Sequence, residues 1–436
     1  MLSSLSKLRS NPSVRSKILY TLAFIALYRL LVFLPVPFVN IQTLMQNSGL
    51  WNSNGLQYFA MLLWWSVDNF SLLAVGLAPF INSSIIIQLL WSVIPKLEEL
   101  QEQWEVWQKT IQQYTRYLTI PLAFVQGIGM TYFINYLLGG NVINISEFWV
   151  VLLTAFVLMV GSILMMWIGE LITEKGISNG TSLLIFSSII SGITSKLYTS
   201  IGSSDNTLWI ILFVLIMVVS LVLLAIFIIK TIKEIPVIYA RSWKVEQTST
   251  LPFPMNPVGM VPIIFAIAFV SFPYLISQMI LKFGTSNTFV ANIARWMEVN
   301  FNIYTQSPGM LVTFVYFLLI IFFTFFYTMV AFNPEKISHN IQQKWGYIPG
   351  MRPWNETAQY INKILMHLCL WGGLGLAFLG VYNYILNYIP FIQNIVQSLW
   401  SVPVIVTGSW IIIIVWVVQE IINKSKADLL SAKYDQ

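Results

Sequence analysis

Charge is what this sequence has least of. Only 9% of its 436 residues are Asp, Glu, Lys or Arg, against about 25% in a soluble domain. A chain so poor in charge cannot surround itself with a solvated surface, so most of it is expected in lipid. Cysteine is nearly absent. Cys369 stands alone inside an apolar run, which excludes an intrachain disulfide and a thiolate metal cluster. His339 and His367 are the only histidines, so there is no His/Cys/Asp constellation for nucleophilic or metal catalysis. Neither an enzymatic activity nor a cofactor is expected. No phosphate-binding glycine loop is present, so any energy the protein uses must come from a partner. The net charge of +6 is small for this length and makes direct nucleic-acid binding a poor expectation. No small-residue cleavage site follows the first apolar stretch, which reads as a retained helix.

What the chain has in abundance is apolar sequence, 57% of all residues. A helix crossing a bilayer needs ~20 mostly apolar residues, and ten stretches qualify: 17–36, 79–95, 114–138, 148–172, 181–199, 207–230, 258–281, 309–332, 361–387 and 401–423. An even number puts both termini on one side. Of the 23 Lys and Arg residues, 19 fall before the first span, after the tenth, or in the loops after even-numbered spans. The exceptions are Arg29, Lys196, Lys282 and Arg295. Positive charge marks the cytoplasmic face, so both termini of this multi-pass chain are expected there. The long polar loops, 231–257 and 333–360, then face the cytoplasm, where soluble partners dock.

The spans themselves are nearly free of ionisable groups. Arg29, Glu170 and Glu420 lie toward span ends, and no carboxylate sits in mid-span to carry a coupling ion. This argues against the alternative reading, a small-solute secondary transporter built from inverted repeats. It suits a passive pore with an apolar lining. Ten spans divide into five and five. The expected halves are residues 1–200, with spans one to five, and residues 201–436, with spans six to ten.

Several segments carry a specific resemblance. They are GLAPFINSSIIIQLL at 76–90, IPKL at 94–97 with QYTRYL at 113–118, WIGELITEKGISNGTSLLIF at 167–186, and FNPEKISHNIQQKWGYIPGMRP at 332–353 followed by residues 357–360. LYRLLVFLPVP in the first span fits as well. In this order, over nearly the whole chain, they resemble the SecY family, the channel-forming subunits of the Sec translocon. Locally, EKGISNG is a tight turn in which Gly176 and Gly180 are expected to take φ > 0 and Asn179 or Thr181 to cap the next helix.

The resemblance implies an all-α polytopic bundle of about ten helices in two pseudo-symmetric five-helix halves around a central pore. It implies a protein-conducting channel that passes unfolded secretory chains across the membrane and releases transmembrane segments sideways into lipid. A ring of side chains at the waist would comprise Leu77, Ile81, Thr181, Ile185, Ile264 and Ile412. Any one aliphatic residue in a span is more often plain packing, and only the aligned set supports a ring. Thr181 departs from the usual aliphatic, and its hydroxyl suggests a slightly wetter seal. A lateral gate would involve Ser84, Gln88 and Phe265, although polar residues such as Ser83 and Ser84 more commonly bond between helices. Arg352, Lys344 and Arg241 would dock a motor or ribosome, where a lone exposed arginine is otherwise merely solvated. The partners implied are SecE, a small third subunit such as SecG, the ATPase SecA or a ribosome, the secretory and membrane-protein substrates, and membrane lipid.

One feature departs from that family. The resemblance implies a plug region near 57–75; Trp64 and Trp65 stand there where SecY carries glycines, and Trp104, Trp107, Trp345 and Trp354 occupy further glycine-like turn or loop positions. With 17 Trp beside 23 Gly, tryptophan is unusually frequent. A large ring resists φ > 0. The pattern suggests that some of these residues are glycines in the natural protein, with UGA codons written as tryptophan.

Overall fold

The computed structural model describes residues 12–39, 71–93, 104–137, 143, 147–202, 207–239, 247–282, 288–301, 309–352, 354–387 and 408–434. In chain order the helices are α1 Pro12–Val32, α2 Ala78–Val93, α3 Trp104–Leu137, α4 Phe148–Lys175, α5 Gly180–Gly202, α6 Thr207–Lys230, α7 Val261–Lys282, α8 Thr288–Asn300, α9 Met310–Ala331, α10 Pro334–Gln343, α11 Asn355–Asn387 and α12 Gly408–Tyr434. A helix therefore lies over each of the ten apolar stretches. At 1.5 Å per residue, the 28 residues of α4 reach about 42 Å, beyond the ~30 Å hydrocarbon core. Among the described residues, Phe148–Lys175, Met310–Gln343 and Asn355–Tyr382 are each long and apolar enough to cross a membrane. The outward side chains of α6 and α9, such as Leu223, Phe227, Phe314 and Phe322, are large, apolar and exposed, as lipid requires and water forbids.

The chain forms two compact units, residues 1–199 with 417–436, and residues 200–416. In the first unit, α1 packs on α4, α2 on α3 and α3 on α4. Tyr28 of α1 shares a 2.6 Å hydrogen bond with Ser188 of α5, and the Arg29 guanidinium donates to the Ser187 carbonyl. The charge near the end of the first span thus ties α1 to α5. Glu170 is paired with Arg116 at 2.7 Å, joining α4 to α3. Lys17 pairs with Asp428 at 2.9 Å.

The turn between α4 and α5 corrects one expectation. Gly176 has φ −97°, and Gly180 is not among the left-handed glycines, which are Gly76, Gly259 and Gly350 among the described residues. Both positions need glycine for space. A Cβ on Gly180 would overlap the Gly169 carbonyl, and one on Gly176 would overlap the Ile172 carbonyl and approach Thr21 Oγ1. The capping expectation holds, since Asn179 Oδ1 accepts the Thr181 N–H at 3.1 Å.

In the second unit, α9 packs on α11 and α7, and α7 carries the short helix α8. Residues 231–257, read from sequence as a polar loop, instead hold two strands. β1 Ile232–Tyr239 and β2 Gln247–Pro254 pair antiparallel from Ile232↔Pro254 to Tyr239↔Gln247. β3 Gly346–Tyr347 joins the other side of β1, giving the order β2-β1-β3. Pro236 is tolerated in β1 because β3 pairs only with Ile238 and Tyr239, leaving the strand one-sided at Pro236. Ile235 and Val237, two apart, point to one face. They form a small core with Phe253, Ile341, Ile348, Ile361 and Leu365, drawn from the sheet, α10 and α11.

Candidate functional site

The turn joining α10 to α11 is built from both sides. Asn333 caps α10, its side chain accepting the Glu335 and Lys336 N–H groups, with Pro334 opening the first turn. The helix ends at Lys344. Gly346 then meets Tyr239 in the sheet, where a Cβ would strike the tyrosine ring at 2.7 Å. Ile348 turns inward to the core. Gly350, at φ 81°, reverses the chain and delivers Arg352 to the surface. Arg352 is exposed, yet its backbone is held at both ends. Its N–H donates to Glu356 Oε2 at 3.0 Å, and its carbonyl accepts the Thr357 hydroxyl at 2.9 Å. The side chain is thus free to meet a partner while its root stays fixed. Lys344 is exposed at the other end of the turn, and Arg241 lies outside the described residues.

Of the six residues expected to form a ring, four lie in the first unit. Leu77 is buried, and its carbonyl accepts the Ile81 N–H at 3.0 Å as α2 begins. Thr181 and Ile185 share one face of α5 by their four-residue spacing. The Thr181 hydroxyl donates to Asn179 Oδ1 at 2.6 Å, and its methyl lies over Gly169. Its proton is thus given to the residue that caps α5. Ser83 donates to the Pro79 carbonyl at 2.7 Å, and Gln88 donates to Ser84 at 2.8 Å. Ser83, Ser84 and Gln88 therefore bond within their own helix.

The segment just before α2 is locked in place. Ser162 of α4 donates to the Gly76 carbonyl at 2.7 Å, and Leu72 donates to the Leu34 carbonyl at 2.8 Å. Gly161 leaves room for the Leu72 carbonyl, which any Cβ would overlap. Leu73, Ala74 and Val75 are buried. This is the described end of the stretch expected to form a plug; residues 57–70, with Trp64 and Trp65, lie outside the described residues.

The other two residues expected in the ring, Ile264 on α7 and Ile412 on α12, are buried in the second unit. Phe265 packs into α9, with ring centroids 5.9 Å from Phe323 and 4.6 Å from Tyr327. The loop before α7 is fixed by Asn256, whose side chain bonds both the N–H and the carbonyl of Gly259.

Sequence reasoning missed the residues that hold these parts. Glu356 and Thr357 act on Arg352 through backbone hydrogen bonds, which leave no charge pattern. Gly161 and Ser162 read as ordinary small residues of a span. The signal available was their small size on an otherwise bulky helix.

A two-unit bundle of long apolar helices, bearing a small three-stranded sheet on one of its units, defines a polytopic α-helical membrane protein. A sequence model of the SecY family matches residues 71–422. The protein translocase subunit SecY of Bacillus subtilis is 34% identical, with 100% of this chain and 99% of the relative covered. That of Helicobacter pylori is 33% identical, covering 97% and 98%, and that of Staphylococcus aureus is 35% identical, covering 87% and 88%. The chain belongs to the SecY family. Its fold is shared with a solved protein-conducting channel, at TM-score 0.63 and 16% identity, covering 96% of this chain and 93% of that one. It is shared as well with Sec61 in a canine ribosome–channel complex from the endoplasmic reticulum, at TM-score 0.62, 16% identity and the same coverage.

Proposed function

We propose that this chain is the channel subunit of a protein translocase, passing unfolded secretory polypeptides across the membrane and releasing transmembrane segments sideways into lipid. The observation that carries the reading is end-to-end kinship with SecY subunits at 33–35% identity. The chemistry of the chain agrees with it. A narrow waist lined by Leu77, Ile81, Thr181, Ile185, Ile264 and Ile412 would exclude ions by expelling water, with no charged gate. Aliphatic side chains can also close around a moving polypeptide of any sequence, because they make no directional bonds. Release toward lipid would run past Ser84, Gln88 and Phe265.

The 19-to-4 distribution of basic residues supports cytoplasmic termini. The sheet and the Arg352 turn then face the cytoplasm. There Arg352, Lys344 and Arg241 would receive a ribosome or the SecA ATPase, with SecE and a SecG-like subunit completing the complex.

Depletion of the protein from its host tests the reading. Unprocessed secretory precursors should accumulate. Continued secretion together with failed uptake of a small solute would instead favour a transporter.

A further inference from the structure

Three residues other than glycine hold a left-handed backbone among the described residues: Phe38 at φ 69°, Trp345 at 56° and Trp354 at 84°. Side chains with a Cβ rarely adopt this region, and a bulky ring fits it worst. Tryptophan supplies 17 of 436 residues, yet it takes two of these three places, nine residues apart at the two ends of one turn. Neither ring is buried in compensation. Trp345 is 77% exposed and Trp354 55%, and the ring contact given for Trp354 is an edge-on approach to His339 at 5.6 Å.

The backbone at both places is fixed by what surrounds it. Trp345 directly follows Lys344, the C-cap of α10, and its N–H bonds the Gln342 carbonyl at 2.9 Å. This is the left-handed residue that ends a helix, the position where glycine is the usual occupant. The next residue is locked to the sheet through Tyr239, so the chain cannot swing to a relaxed φ without breaking that pair. Trp354 stands directly before α11. Its carbonyl accepts both the Ala358 N–H at 2.9 Å and the Ser338 hydroxyl at 2.8 Å. The other left-handed reversal in this turn, residue 350, is a glycine. Two positions that demand glycine's freedom are thus written as a bulky residue ill suited to it.

Tryptophan is encoded by UGG, one base from UGA, which is a sense codon in some genetic codes. We infer that Trp345 and Trp354 are glycines in the protein the cell makes, their codons being UGA decoded there as glycine and written here as tryptophan. The turn that presents Arg352 is then bounded by glycine at both ends, and neither ring stands beside the docking arginine. Phe38 has no such codon relation to glycine and is not included.

The test is peptide mass spectrometry of the protein purified from its own host, on the tryptic peptide 345–363 that lies between Lys344 and Lys363 and carries both positions. Glycine residue masses at 345 and 354, with no tryptophan-containing form, are expected. Tryptophan masses at both positions overturn the inference, as does the reading of UGG at both codons in the gene. Neither result bears on translocation, so the inference can fail while the proposed function stands.

Discussion

The Thr357 hydroxyl donates a 2.9 Å hydrogen bond to the Arg352 carbonyl, while the Glu356 carboxylate takes the Arg352 N–H. The first turn of α11 therefore holds the root of the arginine proposed to meet the motor. Thr357→Val and Glu356→Gln are each expected to cost about 1 kcal/mol locally. The change should show as faster proteolysis within residues 348–352 and weaker motor or ribosome binding. Arg352→Ala should weaken binding without faster proteolysis. If Thr357→Val leaves both unchanged, the turn is held by other means.

Relieving left-handed strain should stabilise the second unit. With the chain made as written, Trp345→Gly and Trp354→Gly are each expected to add about 1 kcal/mol, read as a higher thermal midpoint in detergent. Trp345→Ala should add much less, because alanine keeps the Cβ that causes the strain. Equal effects of glycine and alanine would place the cost in the exposed ring instead of the backbone.

Gly161 makes room for the Leu72 carbonyl, and Ser162 bonds the Gly76 carbonyl. Gly161→Ala should displace the segment leading into α2 at a cost of about 1–3 kcal/mol, raising the ion leak of the reconstituted resting channel. Gly129→Ala, on α3 with open space around it, is the control and should leave the leak unchanged. A leak that stays low in the Gly161 variant would show that this segment does not support the seal.

Thr181→Val should leave the resting leak as it is, because the wild-type hydroxyl proton is already given to Asn179. It should lower stability by about 1 kcal/mol through the lost hydroxyl bond to Asn179 Oδ1, while the backbone cap bond stays. A drop in leak without loss of stability would restore the view that the hydroxyl wets the waist.

The helices were legible in the sequence because lipid imposes one rule, an apolar run long enough to cross. Each of the ten runs carries a helix, and the Asn179 cap follows from its place before α5. The sheet was not legible. Ile235 and Val237 alternate over too few residues to stand out, Pro236 interrupts the run, and β1 is completed by β3 a hundred residues later. The glycines of EKGISNG were found for the wrong reason. A sequence shows that glycine is present but not whether it serves φ or space, and only the approach of the Gly169 carbonyl to Gly180 decides it. The Trp345 and Trp354 anomaly was visible as a composition, and the φ values give it a physical cause.

The most direct test of a protein-conducting waist is site-specific crosslinking to a secretory chain arrested in transit. Cys369 would first be replaced by Ser, and single cysteines placed at Ile81, Ile185, Ile264 and Ile412, with Leu223→Cys on the exposed face of α6 as the comparison. The account predicts crosslinks from all four ring positions, two in each unit, and none from position 223. Crosslinks from position 223 as strong as those from the ring, or from the positions of one unit alone, would contradict it.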